Sequence, residues 1–206
     1  MATDLTDGRV RRGAENRTAL VEALVSLYEE GELEPTAAQI AERAGVAVRS
    51  VYGHFGDVET LAAEVSERQW HVHRRLMDAE PISGTLIERV DELVARRSAL
   101  FEAVAPVRRA GLLHAHRSET IAANLRRLAQ RLRAQVAKTF ASEIDIVGRA
   151  RTASRANELL DAADLLLAWE SWERLRTQQG CTPARARRVL SNALIRLFDT
   201  TDPTEE

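Results

Sequence analysis

Between Thr36 and Phe55 the chain reads TAAQIAERAGVAVRSVYGHF, so a guanidinium (Arg49), a hydroxyl (Ser50), a phenol (Tyr52) and an imidazole (His54) stand within six residues of one another. These groups share one chemistry, which is hydrogen bonding to base edges and to anionic oxygens. A guanidinium can give two parallel hydrogen bonds to guanine, worth roughly 1–3 kcal/mol of discrimination against other bases. Ser50 can donate or accept. Val48 offers only an apolar contact, for instance to a thymine methyl, and Tyr52 and His54 suit phosphate oxygens.

Such groups read a duplex only if a rigid element presents them. Thr36 and Gln39 have the spacing of a capping box, in which the hydroxyl accepts a backbone N–H and the amide side chain reaches back. A helix over about 37–44 follows, Gly45 ends it, and about three residues later a second helix runs from Val48 to Phe55. Ile40, Val46, Val51 and Phe55 form the small core of this pair, while Ala41 and Ala44 let the two helices approach. In that geometry the second helix of the pair enters the major groove with its N-terminal residues nearest the bases, so Val48, Arg49 and Ser50 are the base-reading candidates.

The arrangement Ile40-Ala41, Ala44-Gly45-Val46, Val51-Tyr52 and His54-Phe55 resembles the helix-turn-helix signature of the TetR family. The resemblance implies that Thr36, Tyr52 and His54 hold phosphates while Val48 to Ser50 lie in the groove, with Ala47 and Gly53 completing the DNA-facing set. Two positions depart from the pattern. Ala47 replaces the usual hydroxyl residue before the reading helix, and Val58 replaces a lysine that commonly holds a phosphate. Arg11, Arg12 and Arg17 are placed to compensate, Arg11 and Arg12 as direct DNA contacts.

The rest of the chain reads as helix throughout. Residues 1–8 lack a periodic apolar pattern and are expected to be a disordered tip. Leu20, Ala23, Leu24, Leu27 and Tyr28 then mark a helix over about 14–30. Asp57 can cap a helix reaching about Ala79, and Thr85 with Glu88 form a second capping box for one over 85–104. A short helix after Pro106, a long one through Ile121 to Phe140, a connection containing Gly148, and helices over about 154–178 and from Pro183 complete the series. No segment alternates with the two-residue period of a strand. The expected fold is all-α: a three-helix DNA-binding domain with its arm (1–56), then a helical ligand-binding and dimerisation domain (57–206).

Leu159, Leu160, Leu165, Leu166, Leu167 and Trp169 spread round more of one helix than a single core stripe needs, as do Val189, Leu190, Ala193, Leu194, Ile195, Leu197 and Phe198 on the last. Two copies packing these pairs into a four-helix bundle would bury both sides, giving a homodimer with Leu160, Leu167, Trp172, Leu190, Leu194 and Phe198 at its interface. The family resemblance implies a pocket for an unidentified small-molecule effector, lined by Leu93, Phe101, Leu125 and Trp169. Each of these four also suits plain core packing.

Composition sets the boundaries. The net charge is −2, so DNA binding must come from a local surface rather than from bulk charge. No apolar run is long enough for a membrane span and no secretory signal is present, which points to the cytoplasm. Cys181 is the only cysteine. His71 with His73, and His114 with His116, have i, i+2 spacing, which on a helix points to different faces, so no metal and no cofactor is expected. No catalytic motif occurs, and an enzyme is not expected. The expected function is a sequence-specific regulator, a repressor released from a palindromic double-stranded operator by ligand. The alternative is an all-helical small-molecule carrier or interaction protein that does not bind DNA.

Overall fold

The computed structural model describes residues 2–77 and 82–199, with side chains from residue 10 onward except that of Arg75. These residues form ten α-helices and no strand: α1 (Ala2–Glu29), α2 (Ala37–Ala44), α3 (Val48–Phe55), α4 (Val58–Met77), α5 (Leu86–His114), α6 (Glu119–Thr139), α7 (Ala141–Ala150), α8 (Ala153–Leu166), α9 (Trp169–Glu173) and α10 (Pro183–Asp199). A π-helical turn, Arg174–Gln178, continues α9. The fold is all-α, with the expected N-terminal helix-turn-helix followed by further helices.

Local chemistry sets most helix ends. The Thr36 hydroxyl accepts from the Gln39 N–H at 3.3 Å and the Gln39 carboxamide accepts from the Thr36 N–H at 2.8 Å. Asp57 accepts from the Thr60 N–H at 2.7 Å, a bond that holds its carboxyl below the ordinary range. Thr85 and Glu88 make the second reciprocal box, and Thr182 caps α10 ahead of Pro183. Each of these contacts satisfies an otherwise orphaned N–H.

Four expectations are corrected. The backbone of α1 is helical from Ala2, where a disordered tip was expected. Pro106 does not end a helix, because α5 passes through it to His114. Proline denies one carbonyl its donor, yet Val104, Val107 and Ala110 around it are buried, and that packing holds the helix together. Gly148 lies inside α7 rather than in a connection; a Cβ there would meet the Ala156 Cβ at 3.4 Å, so the glycine lets α7 and α8 pack closely. The expected single helix over 154–178 breaks at Leu167–Ala168. Side chains satisfy the carbonyls at the break: the Ser171 hydroxyl donates to Leu165 and the Arg97 guanidinium to Leu167.

The chain divides into two compact units. The first comprises Met1–Val72 and Val104–Arg126, the second His73–Ala103 and Arg127–Glu206. In the first, Leu20, Leu24, Tyr28, Ile40, Val51, Phe55, Leu61 and Val65 share one core with Val107, Ala110 and Ile121. In the second, Leu93, Leu100, Phe101, Phe140, Trp172 and Leu194 are among the fully enclosed side chains. Phe140 packs on Phe198 with ring centres 4.5 Å apart.

Candidate nucleic-acid interface

Helices α2 and α3 meet through a tight turn whose geometry follows from Gly45. Its φ of 67° is left-handed, a region that costs most residues energy and glycine none. From there the Gly45 N–H bonds the Glu42 carbonyl and the Val46 N–H reaches back to Ala41 at 3.0 Å, a Schellman closure. Ile40 and Ala41 of α2 and Val51 of α3 are completely buried, and Phe55 nearly so. Half-buried Ala44 and Val46 pack against them. The inward face of α3 is therefore committed to the core.

Its outward face carries the base-reading candidates. Val48 is 42% exposed and Tyr52 55%; Arg49 and Gly53 are exposed, Ser50 and His54 half-buried. Ala47 precedes the helix in extended backbone and makes no side-chain cap; the Ser50 N–H donates to the Ala47 carbonyl at 2.8 Å, and no side chain of Ala47 competes for the N–H groups of Val48 and Arg49. Thr36 is exposed at the start of α2, although its hydroxyl already serves the capping box. Thus Thr36, Ala47, Val48, Arg49, Tyr52 and Gly53 all lie at the surface of the first unit. Val58 packs half-buried against its core, so this position contributes packing in place of a charged contact.

The basic residues of α1 divide into two kinds. Arg11 is exposed and sits 3.6 Å from Glu15 along the same helix, a pair of little energetic weight. Arg12 is likewise exposed. Arg17 differs. Its guanidinium stacks 4.4 Å from the centre of the Phe55 ring, donates to the His54 carbonyl at 3.0 Å and pairs with Glu64 of α4. It joins α1, α3 and α4, so it positions the reading helix and is not a spare phosphate ligand. The sequence left that role unread because the partner is a main-chain carbonyl 37 residues away.

Residues 19–65, which span the end of α1, the helix pair and the start of α4, match the family model described as bacterial regulatory proteins, TetR family. Over these residues the chain carries a TetR-type N-terminal domain, that of a DNA-binding transcriptional regulator. No curated protein sequence matches it. Among solved structures it is similar to a transcriptional regulator from Rhodococcus sp. Rha1, with a TM-score of 0.64 and 18% identity over 89% of this chain and 96% of that one. It is also similar to a candidate transcriptional regulator from Pseudomonas aeruginosa PAO1 (TM-score 0.60, 18% identity, 89% and 90% covered). A third is a candidate TetR-family regulator from Mesorhizobium loti MAFF303099 (0.63, 19%, 92% and 98%). At these identities the likeness establishes a shared fold.

The other expected sites fall as follows. Leu93, Phe101 and Trp169 are buried in the second unit, Phe101 edge-on to Trp169 at 5.6 Å. Leu125 is not with them, since it packs half-buried against the core of the first unit. Of the residues expected at the dimer interface, Leu167, Trp172, Leu190, Leu194 and Phe198 are all buried within a single copy, and Leu160 is half-buried. The Trp172 indole N–H donates to Glu102 at 3.0 Å, and Glu102 also receives Arg176 at 2.8 Å. Apolar side chains that do face outward on these helices are Leu165, 66% exposed, and Val189, 43% exposed.

The sequence reading missed Arg97. This side chain is 3% exposed, one helical turn from Leu93 on one side and from Phe101 on the other. Its guanidinium donates to the Leu132 carbonyl at 2.5 Å, the Leu167 carbonyl at 3.2 Å and the Gln135 carboxamide oxygen at 3.2 Å. Burial pulls its pKa down to about 10, with the Asp164 charge acting in the other direction. A charged residue in the middle of an apolar stripe was the available signal. Among the described residues no cluster of His, Cys, Asp or Glu could hold a metal ion, and no helix is long and apolar enough to cross a membrane.

Proposed function

We propose that this regulator acts as a homodimeric repressor in the cytoplasm, bound to a palindromic operator until a small-molecule effector releases it. The observation that carries the reading is the division of α3 into two faces. Val51 and Phe55 are buried inward, and Val48, Arg49 and Tyr52 stand exposed outward. A helix so supported presents its polar groups without rearranging. Arg49 and Ser50 would contact base edges, Tyr52, His54 and Thr36 phosphates, and Arg11 and Arg12 the adjoining backbone.

Two copies would place two such helices in successive major grooves, about 34–36 Å apart or somewhat more. Exposed Leu165 and Val189, with half-buried Leu160, are the residues through which we expect the copies to meet. The effector must prefer the DNA-incompetent arrangement, or no release follows. Leu93, Phe101 and Trp169 are its proposed surroundings.

Footprinting and gel retardation on DNA upstream of the chain's own gene test the reading. A protected palindrome, lost when Arg49 and Tyr52 are both changed to Ala, is the expected result. Equal retardation of unrelated DNA, or of the operator by the double variant, would exclude it.

A further inference from the structure

Arg97 is a buried cation whose hydrogen-bond partners are all neutral. Among the described residues no carboxylate lies within ion-pair distance of it; Asp164, which acts on it electrostatically, sits 3.5 Å from Arg133 instead. Burying a charge without an opposite one is costly, and carbonyl oxygens offset only part of that cost. Beside it, Gln135 gives its oxygen to Arg97, and the Gln135 Nε2 is enclosed without an acceptor. Two donors therefore stand together: a guanidinium whose every nitrogen meets only a neutral oxygen, and an amide nitrogen that meets no acceptor. Leu93 and Phe101 flank them one turn away on α5, and Trp169 lies on Phe101.

We propose that Arg97 and Gln135 form the recognition point for an apolar carboxylic acid, which is the effector of this regulator. The inference rests on the effector-release reading above and specifies its ligand class. A carboxylate supplies one negative charge to match one guanidinium, together with enough lone pairs to accept from the Gln135 Nε2 as well. A phosphate dianion would leave a second charge uncompensated among leucine and aromatic side chains. The apolar remainder of the acid would lie against Leu93, Phe101 and Trp169. Drawing the guanidinium to the acid competes with its bond to the Leu167 carbonyl, which helps hold the break between α8 and α9. Ligand binding is thereby linked to the conformation of that junction.

The test uses octanoate and benzoate, each beside its neutral amide, titrated calorimetrically into the full-length protein. We expect both acids to bind roughly tenfold or more tightly than the amides, the difference a buried charge-assisted contact makes. Arg97→Met should remove that preference. Should this variant fold poorly, Gln135→Glu is the second arm: it supplies an internal carboxylate to Arg97, so it should stay folded and lose acid binding at least tenfold. Absence of acid binding to the wild type, or equal binding by wild type and a folded variant, would overturn the inference. Operator retardation without ligand is measured in parallel. Retardation with no acid binding defeats the ligand class alone, whereas no retardation defeats the regulatory reading and leaves the calorimetric result to stand or fall by itself.

Discussion

The guanidinium of Arg17 in α1 donates to the main-chain carbonyl of His54, 3.0 Å away at the end of α3. That carbonyl belongs to the last turn of a short helix and has no acceptor role inside it. The same arginine covers Phe55 and pairs with Glu64, although about two-fifths of each partner of that ion pair is exposed and solvent weakens it. Arg17→Ala should therefore cost about 1–2 kcal/mol of stability in chemical denaturation. It should also weaken operator binding without changing its salt dependence. Arg11→Ala should do the reverse: no loss of stability, and a salt slope lower by about one unit.

Arg49→Ala should lower operator affinity by about 1–3 kcal/mol and relax the sequence requirement at a single base pair. Competition gel shifts with single-base operator variants measure both effects. An unchanged preference at every position would show that Arg49 contacts only phosphate.

Gly45→Ala isolates a backbone effect. A Cβ built at Gly45 meets nothing within 4 Å, so the substitution meets no steric clash, and only the left-handed φ of 67° penalises it. The expected loss is about 1 kcal/mol, read as a lower denaturation midpoint with an unchanged slope, and Gly45→Asn should lose less. A loss beyond about 3 kcal/mol would mean the turn is held by more than its dihedral angle.

The helix pair was readable in the sequence because its signals are local: Thr36 with Gln39, Gly45, and the spacing of Ile40, Val51 and Phe55. Both helices have the expected limits, and the outward placement of Arg49 and Tyr52 follows from those limits. What could not be read depended on partners far along the chain. The apolar spread over Leu167, Trp172, Leu190, Leu194 and Phe198 suggested a surface shared between copies, yet other helices of the same copy bury these residues. Likewise Pro106 and Gly148 are local punctuation that packing overrides, and Arg97 acquires its meaning only where α6 and the α8–α9 junction meet it.

Arg89 and Glu143 form an enclosed ion pair, with side chains 11% and 16% exposed. Burial tends to raise the Glu143 pKa, but the hydrogen bonds from Arg89, Ser142 and the Glu143 backbone N–H, with the Arg89 charge, together outweigh it and hold the carboxyl below its ordinary value of 4.5. A depressed folded-state pKa means the pair contributes fully above the ordinary glutamate range and is lost as pH falls through the lower, folded value. Wild type should therefore lose stability below about pH 4.5 more steeply than Glu143→Gln, compared by urea denaturation at pH 3.5 and 7. Parallel pH profiles would count against the pair. At neutral pH the variant should be less stable by about 1–3 kcal/mol.

Leu165→Glu combined with Val189→Glu should convert a dimer to a folded monomer, seen by light scattering at micromolar concentration. Both positions are exposed in one copy, so neither charge disturbs the core. Retention of the dimer would move the interface elsewhere.

The buried cluster of the first unit joins Leu20, Leu24, Ile40 and Leu61 to Val107, Ala110 and Ile121, residues separated by the whole stretch from 73 to 103. During synthesis, then, the DNA-reading part cannot close when its own helices have left the ribosome. It must wait for roughly fifty further residues. A fragment cut after α4 would expose apolar surface to water and to other fragments. The reading head of this regulator is therefore not a detachable module, and grafting it onto another protein would require the α5–α6 corner as well.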